Sequence, residues 1–118
     1  MSRVVSQEEF AARICSILAN VNDCGYVTGP GRSGAVAAVY ASHILHIPFI
    51  PFGSKAPLHL GRILLIDTAT ESGQTLRKSA RRYAHANPRV IACYSEPPRV
   101  MFWYEAPKPQ FYRHEVAA

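Results

Sequence analysis

The stretch "ILLIDTATESGQTLRKSARRY", residues 63–83, passes from a fully apolar run to a small polar turn and then to a basic helix. Ile63 to Ile66 are apolar at every position, as in a parallel strand covered on both faces. Asp67 ends that strand, and Glu71 precedes Ser72-Gly73-Gln74-Thr75 at the start of the helix. Free N–H groups and the helix dipole favour an anion there, assisted by the Ser72 and Thr75 hydroxyls. The spacing therefore predicts a strand, an anion-binding turn with carboxylates at its mouth, and a helix.

A second stretch of the same design lies upstream. "GYVTGPGRSGAVAAVY", residues 25–40, takes an apolar strand through three glycines and a proline into a small-residue helix. Gly29-x-Gly31-x-x-Gly34 satisfies the dinucleotide fingerprint, but the region about 20 residues on, "IPFIPFGSKA", holds no acid for a ribose. Gly29-x4-Gly34 also opens a P-loop, yet Ala35 and Val36 stand where Lys and Ser or Thr are required. What remains is an anion-binding turn over Gly31, Arg32, Ser33 and Gly34, or a tight turn with a structural purpose only.

Working outward, "SQEEFAARICSILANV" reads as an amphipathic helix. Ser6 and Glu9 form a capping box, and Phe10, Ile14, Leu18 and Val21 share a face. Tyr26 to Thr28 open the first core strand, and a helix is expected from Gly34 to about His46, before Pro48. "IPFIPF" reads as a short strand at a sheet edge because of its prolines. The helix after Thr75 is expected to reach about His85; "RVIACY" is a buried strand and "RVMFWY" a last one. Alternating strands and helices predict an α/β fold: a mainly parallel sheet with helices on both faces. Both glycine turns follow strands, so both are expected on the carboxyl edge of the sheet, where such folds bind ligands.

With 118 residues the chain is expected to form one domain over 1–118, with 108–118 as a C-terminal flap. No apolar run approaches the roughly 20 residues of a membrane span, and the N-terminus has no signal-peptide core. Cys15, Cys24 and Cys93 are scattered and odd in number, which predicts buried reduced thiols in a cytoplasmic protein. The net charge of +5 suits an anionic ligand. Arg77, Lys78, Arg81 and Arg82 read as a solvated helix face; without a nucleic-acid module or interleaved aromatics, a nucleic-acid partner is not expected. Two anion cradles on one edge, with carboxylates between them, imply a ligand with separated phosphates and a polyol. The carboxylates would hold sugar hydroxyls, coordinate Mg²⁺ or move a proton.

At this point the sequence resembles the type I phosphoribosyltransferases. "ILLIDTATESGQTL" follows their strand, acidic pair and Thr/Ser-Gly-x-Thr loop over 14 positions, and "GPGRSG" is similar to their pyrophosphate loop. The purine branch, of the xanthine–guanine type, is similar in carrying an acid where Glu71 stands. The resemblance implies a phosphoribosyltransferase-like fold and condensation of a nucleobase with phosphoribosyl pyrophosphate in the presence of Mg²⁺. It implies Gly31, Arg32, Ser33 and Gly34 at the pyrophosphate and Ser72, Gly73, Gln74 and Thr75 at the 5′-phosphate. Asp67 and Thr68 fall at the ribose, with Asp67 reaching the metal through water, and Glu71 is the general base towards the purine ring. Glu96, Trp103 and Phe111 are the base-site candidates, and a homo-oligomer is implied as well. The sequence departs from the family in three places: Thr68 replaces the second acid, and Glu96 falls where a lysine would read a 6-oxo group. The interval that holds the family's mobile hood is only "GSKAPLHLG", residues 53–61, with Lys55 as its one fixed charge. These departures keep a second function in view, a protein of the same fold that binds a nucleotide or phosphoribosyl pyrophosphate without turnover.

Overall fold

A computed structural model describes residues 4–70, 73–95 and 100–105. Element order is β1 (Val4–Val5), α1 (Gln7–Leu18), β2 (Tyr26–Thr28), α2 (Gly31–Leu45), β3 (Ile63–Ala69), α3 (Gln74–Arg82), β4 (Arg89–Tyr94) and β5 (Met101–Phe102). The sheet β2-β3-β4 is parallel, with Thr28 beside Leu65 and Asp67 beside Ala92. This is the expected α/β architecture.

The local signals that forecast α1 operate as expected. The Ser6 hydroxyl accepts the Glu9 N–H at 3.1 Å, and Phe10, Ile14 and Leu18 are buried. They meet Val27, Ala37, Ala38, Ala41, Leu64 and Ile66 in the larger core, between the sheet and the helices α1 and α2. The opposite face of β2 and β3 carries Tyr26, Ile63 and Leu65, covered by Ala80, Tyr83 and Ala86 from α3 and the turn after it. Alternation along β3 thus serves two cores, which is why its apolar run is unbroken.

Several boundaries differ from expectation. Helix α2 starts at Gly31, not Gly34: Pro30 is the N-cap at φ −75°, and the Gly34 N–H donates to the Pro30 carbonyl at 3.0 Å. "IPFIPF" contributes only a parallel bridge between Phe49 and Val27, because two prolines leave few N–H groups for a ladder. Helix α3 ends at Arg82, and a 3-10 turn over Ala84–Ala86 replaces its last turn. The strand expected in "RVMFWY" is confined to β5, outside the main sheet, where it pairs in parallel with β1. Of the thiols only Cys93 is buried; Cys15, on the outer face of α1, is exposed. The proposed flap over 108–118 lies outside the described residues. Among the described residues no helix is long and apolar enough to cross a membrane.

The chain path makes a cleft. After β2 it adds Phe49 on one side, then returns to lay β3 and β4 on the other. Crossovers of one hand then put α2 and α3 on opposite faces, so their N-termini diverge above the carboxyl ends of β2 and β3. The far edge is closed by charge: Asp23 accepts Arg62 at 2.7 Å and Arg89 at 2.8 Å, and these hydrogen bonds, led by Arg89, hold its carboxyl below its usual range. Arg62 also donates to the Asn87 carbonyl at 2.7 Å, tying the starts of β3 and β4 together.

Candidate functional site

The first wall of the cleft is the turn Gly29–Gly34. Its glycines serve different purposes. A Cβ on Gly29 would lie 2.1 Å from the Gly34 carbonyl oxygen, and one on Gly34 would lie 2.6 Å from the Gly29 carbonyl carbon. These two residues let α2 lie directly on the strand ends. Gly31 instead has φ +67° with open space around it, so its backbone turns outward without obstruction. Arg32 is exposed, Ser33 is half-buried and Gly34 is buried. No acid stands in the first turn of α2, which leaves the positive helix end uncompensated by its own side chains.

The second wall is the turn after β3. The Thr70 hydroxyl accepts the Gly73 N–H at 2.7 Å, tying the end of β3 to the start of α3. Gly73 caps α3 at φ +75°, a left-handed geometry that favours glycine. Gln74 and Thr75 are the first residues of α3 and both are exposed. Arg77, one turn along, folds back so that a guanidinium nitrogen lies 3.1 Å from where a Gly73 Cβ would be. A cation held at the positive end of its own helix is electrostatically unfavourable until an anion joins them.

Between the walls stand Asp67 and Thr68. Alternation assigns Asp67 to the α3 face with Leu65, and Thr68 to the α2 face with Ile66. The Asp67 carboxylate accepts the Thr68 N–H at 2.7 Å and is half-buried. Thr68 is only 2% exposed, and Tyr104 lies close to it. The Tyr104 hydroxyl donates to Ser33 Oγ at 2.9 Å. Burial pushes the Tyr104 phenol above its ordinary value. Cys93, on β4 behind Asp67, is a thiol pushed up to about 12 by burial and by the Asp67 charge. Its thiol therefore stays protonated at neutral pH.

Thr28, at the end of β2, is fully buried, and its hydroxyl has no hydrogen-bond partner. Trp103 packs against Phe10 at 5.7 Å and Tyr40 at 6.4 Å, towards α1 and α2. Glu71, Ser72, Glu96 and Phe111 lie outside the described residues. The hood interval does not arch over this edge from a free position. Tyr83, at the end of α3, accepts the Gly53 N–H at 2.9 Å and donates to the Ser54 carbonyl at 3.0 Å, holding the segment on the α3 side. Ala56, next to Lys55, is buried in the smaller core.

The structure thus brings Gly31, Arg32, Ser33, Asp67, Thr68, Gly73, Gln74 and Thr75 to one edge. Sequence reasoning missed Tyr104 and the inward turn of Arg77. The i, i+4 spacing of Gly73 and Arg77 carried a signal for the second. No local pattern pairs residue 104 with residue 33.

No protein-family model and no curated protein sequence matches the chain. Solved structures do. A Helicobacter pylori xanthine–guanine–hypoxanthine phosphoribosyltransferase superposes with TM-score 0.69 at 12% identity, over 100% of this chain and 99% of that one. The chain has the type I phosphoribosyltransferase fold. A purine phosphoribosyltransferase from Pyrococcus horikoshii superposes with TM-score 0.65 at 18% identity, over 92% of this chain and 97% of that one. A Neisseria gonorrhoeae protein with bound ppGpp superposes with TM-score 0.58 at 12% identity, covering 86% of this chain and 81% of the other. The phosphoribosyltransferase fold of this chain is therefore shared with purine enzymes across nearly their whole length.

Proposed function

We propose that the protein is a small purine-type phosphoribosyltransferase, joining a nucleobase to phosphoribosyl pyrophosphate with release of pyrophosphate. One observation carries this reading: two helix N-termini flank the Asp67 carboxylate at the β2–β3 switch point of a fold shared with purine phosphoribosyltransferases. In this reading Gly31 to Gly34 hold the diphosphate, with Arg32 offsetting its charge. Ser72 to Thr75 hold the 5′-phosphate, reinforced by Arg77. Asp67 takes the ribose hydroxyls. A ring nitrogen of the base bonds to C1′ as the bond from C1′ to the diphosphate oxygen breaks, and Glu71 accepts the proton that the base loses. Phosphoribosyl pyrophosphate supplies the electrophile, so no redox partner is required.

Among the described residues no three His, Cys, Asp or Glu side chains come together. Asp67 would meet Mg²⁺ carried in on the diphosphate through one of the ion's own waters, and the ion would offset the diphosphate charge.

A second reading is favoured by the burial of Thr68, which turns the second-acid position inward, and by the neighbour that holds ppGpp. It makes the protein a binder of phosphorylated nucleotides without turnover. Labelled phosphoribosyl pyrophosphate with Mg²⁺ and a panel of bases separates the two. Product with one base, abolished in Glu71→Gln while ligand affinity survives, supports the enzyme. No product with any base, together with micromolar nucleotide affinity, supports the binder.

A further inference from the structure

Residues 100–105 reach the ligand edge as a strap. Backbone pairing of Met101 and Phe102 with Val4 and Val5 fixes one end. The Glu105 carboxylate accepts the Phe102 N–H at 3.1 Å, and Phe102 packs edge-on to Phe10 at 5.8 Å. Within this frame the Tyr104 ring stacks on Phe102 at 5.8 Å and meets Trp103 edge-on at 5.0 Å. Its hydroxyl is thereby set between Thr68 on β3 and Ser33 in the first turn of α2.

The Tyr104 hydroxyl donates to Ser33 Oγ, which leaves the serine's own proton free to point elsewhere. Ser33 lies in the first turn of α2, near the open space at Gly31 and the uncompensated helix end.

We propose that Tyr104 is a positioning residue for the diphosphate: it fixes Ser33 so that the serine proton points at an anion on the α2 N-terminus. The inference rests on the reading of the α2 end as the diphosphate site.

The test is calorimetric titration of the whole protein with inorganic pyrophosphate and, separately, with ribose 5-phosphate. Tyr104→Phe keeps the ring and removes the hydroxyl. It is expected to weaken pyrophosphate binding roughly three- to tenfold and to leave ribose 5-phosphate within about twofold. Ser33→Ala should show the same selective loss, and the double variant no further loss. Thermal unfolding of each variant checks that the fold is kept. Pyrophosphate affinity equal to wild type in Tyr104→Phe, or equal weakening of both ligands, overturns the role of Tyr104 alone. Wild-type protein that binds ribose 5-phosphate but not pyrophosphate overturns the diphosphate site and the inference with it; binding of neither overturns the proposed function.

Discussion

Replacing Gly29 by alanine tests how the first wall of the cleft is built. The added Cβ would stand 2.1 Å from the Gly34 carbonyl oxygen and 2.4 Å from the Ile66 carbonyl oxygen, where ordinary contact begins at 3.4 Å. Two backbones on opposite sides must each retreat, and neither is the tip of a flexible side chain. Overpacking by side chains costs about 1–3 kcal/mol, so a backbone-against-backbone clash belongs at or above the top of that range, about 3–5 kcal/mol. At about 4 °C per kcal/mol for a domain of this length, the unfolding midpoint should fall by about 12–20 °C. Gly31→Ala is the control, because its Cβ meets nothing within 4 Å and only the φ of +67° is strained. That strain costs about 1–2 kcal/mol, a shift of about 4–8 °C. Thermal and urea unfolding followed by circular dichroism measure both variants. A Gly29→Ala protein within about 1 kcal/mol of wild type, or one more stable than Gly31→Ala, would refute the close approach of α2 to the strand ends.

Restoring an acid at the second position of the pair, Thr68→Asp, should destabilise the protein by about 2 kcal/mol at pH 7, because it buries a charge beside Asp67. Chemical denaturation reads this; unchanged stability with a gain in Mg²⁺-dependent ligand affinity would show that residue 68 faces the ligand. The thiols should react with a disulfide reagent at pH 8 in the order Cys15, Cys24, Cys93, with Cys93 released only on unfolding; early Cys93 labelling would contradict its burial. Burial raises Cys93 to about 12 and Cys24 to about 11 from 9.0, so between those values the folded chain keeps protons that the unfolded chain has lost. Stability should therefore be fully present below pH 9 and decline from pH 9 towards 12. Cys93→Ala should flatten that decline; the same slope in both proteins would remove Cys93 as its cause.

The sequence by itself determined what depends on neighbours a few residues apart. Period 3.6 and the Ser6 cap located α1, the unbroken apolar run located β3, though the strand runs past the expected end at Asp67 to Ala69, and Gly73-Gln74-Thr75 marked the start of α3. Gly29, Gly31 and Gly34 read alike as turn formers, although only Gly31 adopts a left-handed φ and the other two exist for packing. That difference depends on what lies opposite each residue, which local pattern does not contain. Tertiary structure alone decided that β1 and β5 pair away from the main sheet, that "IPFIPF" holds a single bridge, and that Thr68 turns inward. It alone decided the bond between Tyr104 and Ser33, 71 residues apart. A hydrogen bond is a matter of a few ångströms and one angle, and only the packed chain brings such distant groups within that range.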